Sequence, residues 1–255
     1  MTQDARVQDF VASFEGLRAE VEKVIVGHRE IIDHVLVGLF AGGHVLLEGM
    51  QEAAVTVGGV SRPLPGPFFV LATQNPIEME GTYPLPEAQL DRFMLKLRVR
   101  YPAIEELNTI IDRTTQARPV SVERVMSGER VLGFRELIRE VPIADHVRAL
   151  ASTIIMATHP QWEQSPDSAR RFIRYGASPR GAQALVLGAK VRALTEGRFN
   201  VSVEDLRALA APALRHRIIL NFEGEAEGVD TDTLIRQIVD SAEAITAQGK
   251  EAFVR

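Results

Sequence analysis

The sequence of 255 residues contains no cysteine and a single tryptophan. Without cysteine the chain can form neither a disulfide bond nor a thiolate metal site, which is typical of proteins in a reducing compartment. Its longest apolar stretch, residues 35–47, is interrupted by glycines and a histidine and falls short of the roughly 20 residues that cross a bilayer. The start, MTQDARVQDF, has no apolar core of a secretion signal. We therefore expect a cytoplasmic protein without a membrane span.

An excess of positive charge is also absent. The chain has 29 lysines and arginines against 34 aspartates and glutamates, a net charge of −5. This balance argues against a broad basic surface for nucleic acid or anionic lipid. With 45% apolar and 25% charged residues, the chain has the composition of a globular protein that buries a substantial core in one large domain or two smaller ones.

The most informative absence follows the segment HVLLEGM, residues 44–50. An apolar strand that ends in glycine is typical of the start of a phosphate-binding loop. Such a loop needs a glycine-rich backbone around the phosphates, a lysine for the outer phosphates and a serine or threonine for magnesium. The chain continues instead with QEAAVTVGGV, residues 51–60, in which this arrangement is missing.

Apolar side chains recur at helical spacing in residues 9–26 and 31–40, which predicts two amphipathic helices, the second ended by Gly42 and Gly43. Alternation around Gly58 and Gly59 predicts a β-hairpin. Continuous or alternating apolar runs predict three strands. We also predict a short helix between the second and the third of them. The predicted strands cover residues 44–49, 68–72 and 94–99, and the short helix covers residues 87–91.

Beyond Pro102 the pattern becomes helical. Ser178 before Pro179, and Ser202 three residues before Asp205, are typical helix starts. The predicted helices cover residues 104–116, 133–141, 144–158, 179–197, 203–214 and 231–247. We therefore divide the chain into an α/β domain over residues 1–102 and an all-α domain over residues 103–255.

Six motifs together resemble one family. In chain order they are VIVGH, HVLLEG, VTVGG, FFVLATQNPIEMEGTYPLPEAQLDRF, GASPRGAQAL and LRHRIIL, and they are similar to the MoxR group of AAA+ ATPases over nearly the whole chain. The resemblance implies a P-loop-type parallel-sheet domain followed by a helical lid domain. It also implies self-assembly or assembly with homologous subunits into rings, usually hexamers, with ATP and Mg²⁺ at the subunit interfaces.

The resemblance further implies a chaperone-like activity that uses ATP hydrolysis to assemble protein complexes. Protein clients and proteins with von Willebrand A domains are the partners that it implies. It assigns Val26 and Gly27 to the adenine and Gly49 to the nucleotide. Asn75 matches the residue that senses the γ-phosphate and orients the attacking water.

Two arginines complete the expected site. Arg92, in LDRF, matches the arginine finger that stabilises charge at the neighbouring subunit's ATP. Arg180 matches the lid arginine that reports the γ-phosphate to the helical domain, and its place in the first turn of a capped helix suits anion binding on physical grounds. The structural alternative is that Arg92 is a surface ion-pair partner of Asp91 or Glu87.

Other polar residues have structural interpretations as well. Asn75 is also a good residue for the turn before Pro76. Arg98 and Arg100 are alternatives to Arg92 as the finger. Glu78, Glu80 and Glu87 form an acidic group that we interpret as solvated, so we expect no metal site formed by these residues. His159 and His216 are expected to be structural, and Trp162 to pack within the lid.

The departure from the family lies between Met50 and Gln51. In family members, LLEG is followed by a phosphate-binding loop. Later in the chain come a strand with an acidic end and then a helix that ends in a sequence resembling LLEAMQE. Because LLE at residues 46–48 resembles both borders, we infer a deletion of several dozen residues. In the family's sheet order the remaining strands are neighbours, so we expect a truncated parallel sheet of about three strands with residues 68–72 exposed at its edge.

This departure leads to competing functional hypotheses. The leading one is a MoxR-type AAA+ ATPase that has lost hydrolysis and binds nucleotide weakly or not at all, because phosphoryl transfer depends on positioning and charge stabilisation. The alternative is a non-catalytic ring subunit, or binding module, that contributes Arg92 to intact homologues. A third is a degraded or misread sequence without a function.

Overall fold

The computed structural model describes residues 2–48, 66–74, 85–115 and 120–253, with side chains as far as residue 247. Gly49, Asn75, Glu78, Glu80 and the predicted hairpin lie outside these residues. The elements in chain order are α1 (Gln3–Val24), α2 (Arg29–Ala41), β1 (Val45–Glu48), β2 (Leu71–Gln74), α3 (Glu87–Leu90), β3 (Leu95–Arg98), α4 (Ile104–Thr115), α5 (Gly128–Glu140), α6 (Asp145–Ala157), α7 (Asp167–Phe172), β4 (Ile173–Tyr175), α8 (Pro179–Thr195), α9 (Val203–Leu214), β5 (Ile219–Leu220), α10 (Phe222–Ala226) and α11 (Thr231–Phe253).

A parallel sheet with the order β2-β1-β3 forms the α/β part. Val45 is the register partner of Leu71 on one side and of Leu95 on the other. All three residues before Glu48 in β1 are buried, as expected for a central strand covered on both faces. The expected remnant of three neighbouring parallel strands is therefore confirmed.

The edge strand differs from its prediction in extent. β2 begins at Leu71 and continues to Gln74, so residues 68–70 precede the strand instead of forming it. Phe68 and Leu71 are each 47% exposed. The expected apolar exposure at this edge is confirmed, and within the described residues β1 is the neighbour of β2.

The first two helices pack through aromatic rings. The centroid of Phe10 in α1 lies 5.1 Å from that of Phe40 in α2 and 5.2 Å from that of Phe134 in α5, both near edge-to-face, an arrangement that aromatic rings favour. Gly42 ends α2 with a left-handed backbone, φ 78°, as the sequence predicts. These helices anchor the sheet to the helical part.

Helices α8 and α9 form the centre of the helical part. Ser178 caps α8 and Ser202 caps α9, the latter in a capping box with Asp205, so both predicted starts are confirmed. Helix α8 packs on α2, α5, α6 and α9, and one hydrophobic core runs through the α/β and helical parts. The division after Pro102 remains a prediction.

Several boundaries and elements differ from the sequence prediction. Helix α5 begins at Gly128, five residues before the predicted start, because Ser127 caps it. Helix α11 continues to Phe253, beyond the predicted end at residue 247. The sequence prediction also missed the elements α7, β4, β5 and α10. Within the described part of the chain, we find no helix with the length and apolar character of a membrane span.

Candidate functional site

The carboxyl ends of the parallel strands are the first candidate region, because ligands of such sheets bind there. Glu48 ends β1 at this edge. Its carboxylate lies 2.6 Å from Lys96 Nζ and 3.7 Å from Arg98 Nε. Two cations of the neighbouring strand therefore neutralise Glu48, which is the last described residue before the point where the family's phosphate-binding loop would begin.

Arg98 also joins this edge to the beginning of α11. Its Nη1 donates to Asp230 Oδ1 at 3.0 Å and lies 3.5 Å from Asp232 Oδ2. Arg215 donates to both carboxylate oxygens of Asp232 at 2.9 Å and to the Lys96 carbonyl at 2.9 Å. Charged side chains thus connect β3, α9 and α11 beside the carboxyl edge.

A cavity of about 560 Å³ lies next to these ion pairs and is lined by His28, His34, Arg98, Pro212 and Asp230, among others. It also adjoins the bend between α1 and α2, where the adenine residues were predicted. Gly27 in this bend has φ 69°, and a Cβ there would lie 2.1 Å from Glu106 Oε1. The backbone conformation favours glycine at this position, while the carboxylate of Glu106 ends a flexible side chain that can move aside.

These residues do not fit a triphosphate with magnesium. Glu48 and Lys96 pair with each other, so neither is available as a ligand of a metal or a phosphate. Residues 2–48, 66–74, 85–115 and 120–253 offer no group of three or more His, Asp or Glu side chains placed to hold a metal ion. At the described carboxyl edge, Glu48 and Lys96 thus form an ion pair between neighbouring strands.

The second candidate region lies before the amino end of β3. Met94 N donates to the His44 carbonyl at 2.7 Å, which fixes the start of β3 beside the start of β1. The preceding turn carries Asp91 and the exposed Arg92. Arg92 consequently lies at the end of the sheet opposite to Glu48.

Arg217 holds this turn from inside. Its side chain is only 2% exposed. Nε donates to Asp91 Oδ1 at 2.9 Å, while Nη2 donates to the carbonyls of Asp91 at 2.9 Å and Phe93 at 2.7 Å. The guanidinium thus ties side chain and backbone of the turn to the residues after α9.

Arg180 lies at the same end of the sheet. Its Nη1 donates to Asp91 Oδ2 at 3.3 Å, and its side chain is 56% exposed. Ser178 accepts from Arg180 N at 3.2 Å and donates to Asp91 Oδ1 at 2.9 Å. The structure therefore brings Arg180 to the carboxylate of Asp91, which precedes Arg92 in the chain.

The charge state of Asp91 follows from these neighbours. Burial alone would raise the pKa of this carboxyl. The hydrogen bond from Ser178 and the charges of Arg217 and Arg180 outweigh that effect, so the pKa of Asp91 is lowered. An ionised Asp91 accepts from all three donors, but it balances only one of the two arginine charges that pair with it.

The alternative of an Arg92 pair with Asp91 or Glu87 is wrong. Asp91 pairs with Arg180 and Arg217, and among the described residues Arg92 has no ion pair. Arg98 is committed to Glu48, Asp230 and Asp232, which argues against its being the finger.

The remaining polar residues are structural where they are described. His159 Nε2 lies 3.1 Å from the Ala177 carbonyl. His216 Nε2 lies 2.9 Å from the Phe93 carbonyl, and burial, with the charge of Arg217, lowers the pKa of His216 to about 3. Trp162 packs against the hydrophobic core. The structural interpretation of the three residues is confirmed.

Comparison with known proteins agrees with these features. Residues 41–95 match the family model described as "ATPase family associated with various cellular activities (AAA)", and residues 167–238 match the AAA lid domain. The chain belongs to the MoxR family of AAA+ ATPases. It is 34% identical over 196 residues to the chaperone MoxR1 of Mycobacterium tuberculosis, which covers 77% of this chain and 52% of that protein.

Two further relatives of this MoxR-family chain place it in context. It is 38% identical over 197 residues to the uncharacterized protein YeaC of Bacillus subtilis, covering 77% of this chain and 59% of YeaC. A crystal structure of a protein assigned as an ATPase from Cytophaga hutchinsonii superposes with a TM-score of 0.84 and 29% identity, over 93% of this chain and 96% of that one. The chain therefore spans between about half and three fifths of the length of the curated relatives MoxR1 and YeaC.

Proposed function

We propose that this chain is a non-hydrolysing subunit of a MoxR-type AAA+ ring. In this role it offers Arg92 and Arg180 to the nucleotide of a neighbouring subunit and takes part in the chaperone-like assembly of protein complexes. Protein clients and partners with von Willebrand A domains belong to the same proposal, since they are implied by the family. We place the protein in the cytoplasm.

The observation that carries the proposal is the separation of the two ends of the sheet. The carboxyl end, where the chain's own nucleotide would bind, is occupied by the pair of Glu48 and Lys96. At the amino end, Arg180 pairs with Asp91, and Arg92 follows Asp91 in the chain. Arginines so placed are remote from the chain's own carboxyl edge, and both side chains are exposed to solvent.

The size of the expected contribution is large. An arginine supplied by a partner to a triphosphate raises the rate of hydrolysis by about 10³ to 10⁵. The finger needs no phosphate-binding loop in its own chain, because its effect is exerted on charge in the other subunit. A chain without hydrolysis of its own can therefore still change the activity of a ring.

Nucleotide binding by the isolated chain tests the first half of the proposal. We expect isothermal titration calorimetry with ATP and Mg²⁺ to detect no tight binding, and a phosphate-release assay to detect no hydrolysis. Any residual affinity would come from the cavity beside Gly27 and is expected to be weak. Tight, magnesium-dependent binding would contradict the proposal.

A mixed-ring assay tests the second half. An intact MoxR homologue, with its own finger arginine replaced by alanine, is titrated with this chain and ATP hydrolysis is measured. We expect the wild-type chain to restore hydrolysis and Arg92→Ala to abolish the effect. Arg148→Ala, at an exposed arginine of α6, is the matched control and should behave as wild type. Absence of co-assembly or of stimulation would refute the proposal.

A further inference from the structure

We propose that Asp91 is a positioning residue that holds Arg92 and Arg180 together as a two-arginine face for the phosphates of the neighbouring subunit's nucleotide. This inference rests on the proposed function and adds to it the group that sets the geometry of the two arginines. Asp91 itself touches no substrate. It acts on Arg92 through the backbone of the turn and on Arg180 through its carboxylate.

The backbone arm leads to Arg92. Arg217 donates to the carbonyls on both sides of Arg92, those of Asp91 at 2.9 Å and of Phe93 at 2.7 Å, and to the carboxylate of Asp91. Because Arg217 is 2% exposed, its guanidinium has little freedom to move. The Cα of Arg92 is consequently held on a fixed turn, while its side chain projects outward from that turn to solvent.

The carboxylate arm leads to Arg180. Asp91 accepts from Ser178 Oγ at 2.9 Å and from Arg180 Nη1 at 3.3 Å. Ser178 also caps α8, so the carboxylate fixes the first turn of the helix that carries Arg180. A Cβ at Gly181 would lie 3.2 Å from Arg217 Cδ, and the absence of a side chain there lets this turn lie against Arg217.

The contact with Arg180 is suited to exchange of partners. It is a single hydrogen bond of 3.3 Å to a side chain that is 56% exposed, whereas Arg217 makes several buried ones. An arriving phosphate can therefore compete for Arg180 without releasing Arg217. The excess of positive charge around Asp91 favours such an anion.

The mixed-ring assay tests this inference with two variants. We expect Asp91→Asn and Ser178→Ala to lower kcat about tenfold with KM for ATP within about twofold, because misplacement of a catalytic group by about 1 Å costs up to 100-fold in rate. The separate variant Ser178→Thr keeps a hydroxyl at this position, and its kcat should stay close to that of the wild type. Ser127→Ala removes the corresponding cap of α5 and should leave kcat unchanged.

A double variant separates positioning from a general structural effect. If Ser178 acts through Arg180, adding Ser178→Ala to Arg180→Ala should lower kcat no further. Should Asp91→Asn fail to fold, as judged by circular dichroism, the comparison of Ser178→Ala with Ser178→Thr decides. Thermal unfolding and co-assembly measured by size exclusion serve as the structural readouts.

The outcomes distinguish the two proposals. If the wild-type chain stimulates hydrolysis, Arg92→Ala abolishes it, and folded Asp91→Asn and Ser178→Ala keep kcat within twofold of wild type, the positioning role is refuted and the ring role stands. If the wild-type chain gives no stimulation, the proposed function itself has failed. A tenfold loss in both variants, recovered by Ser178→Thr, supports the positioning role.

Discussion

At the scale of single residues, the buried carboxylate of Asp205 joins several parts of the helical region. Asp205 is fully buried, and Arg198 donates to both of its oxygens at 2.7 and 2.9 Å. The same carboxylate accepts from Ser202 N at 2.9 Å. Asp205 thus takes part in the ion pair with Arg198, in the cap of α9 and in the contact with the loop before that helix.

Replacing Asp205 by asparagine should destabilise the protein by about 2 kcal/mol, because the buried carboxylate loses its charge-assisted hydrogen bonds from Arg198, whose side chain is 34% exposed and stays partly solvated. Urea unfolding at pH 7 measures this loss. Asp240→Asn is the matched control, since Asp240 pairs with Arg207 while 62% exposed, and it should cost no more than about 1 kcal/mol. Equal losses in the two variants would contradict the prediction.

Asp230 gives a prediction about pH. Burial alone would raise its pKa, but hydrogen bonds from Thr233 and Arg98 and from two backbone amides lower the pKa of Asp230 to about 2. Because the pKa is lower in the folded state, Asp230 contributes stability at neutral pH that is lost as the pH falls from about 4 towards 2.

A carboxyl ¹³C NMR titration should therefore give an Asp230 midpoint near pH 2. In Arg98→Ala the midpoint should move up towards the ordinary value of about 3.9. Arg100→Ala, an exposed arginine two residues further on, should leave it in place. If Arg98→Ala leaves the Asp230 midpoint unchanged, the ion pair between Arg98 and Asp230 does not form in solution.

The residues of the site illustrate what a sequence can predict. Arg92 and Arg180 are predicted because each stands in a motif. Motifs carry no distances, so the pairing of Arg180 with Asp91, the residue before Arg92, is not predicted. Asp91 was considered only as a partner of Arg92. Arg217 was part of LRHRIIL without a role, since its burial against the turn before β3 depends on a contact across more than 100 positions of the chain.

At the scale of elements, capped helices are the easiest to predict and the shortest strands the hardest. Helices α8 and α9 have caps and several turns of helical spacing, and their starts were predicted to the residue. Strands β4 and β5 have three and two residues, too few to display a period. Their pairing is antiparallel and long-range, so only the folded chain identifies them.

Helix α4 differs from the other long helices in having no buried residue. Its polar contacts include the hydrogen bonds that Arg113 Nη1 donates to the carbonyls of Glu22 at 3.2 Å and Lys23 at 2.7 Å at the end of α1. Few buried apolar contacts mean a low local free energy of opening.

Hydrogen exchange followed by mass spectrometry should therefore show α4 exchanging at least about tenfold faster than α8, in which eight residues are buried. Helix α9, also well buried, is the internal control and should exchange as slowly as α8. Equal protection of α4 and α8 would mean that α4 is covered by a partner in solution.

At the scale of the whole molecule, the narrow sheet has an apolar edge. Leu71 and Phe68 are each 47% exposed beside β2, and an exposed edge strand with apolar side chains is a site for pairing with other chains. Self-association through this edge would compete with assembly into a ring.

Leu71→Lys should accordingly reduce concentration-dependent self-association, because a lysine on an edge strand disfavours pairing. Dynamic light scattering over a concentration series measures the effect. Val122→Lys changes a residue of similar exposure, 55%, that lies outside the sheet, and serves as the control. A decrease of the same size in both variants would assign the effect to net charge instead of to the edge.

The central position of β1 has a consequence for how the chain folds. Both partners of Val45, Leu71 and Leu95, follow much later in the chain, so the sheet requires closure of long loops before any strand pair forms. Helices α8 and α9 are neighbours in sequence and pack extensively. Because local contacts form faster than distant ones, we expect the helical half to fold first, which makes it the template on which the three strands assemble.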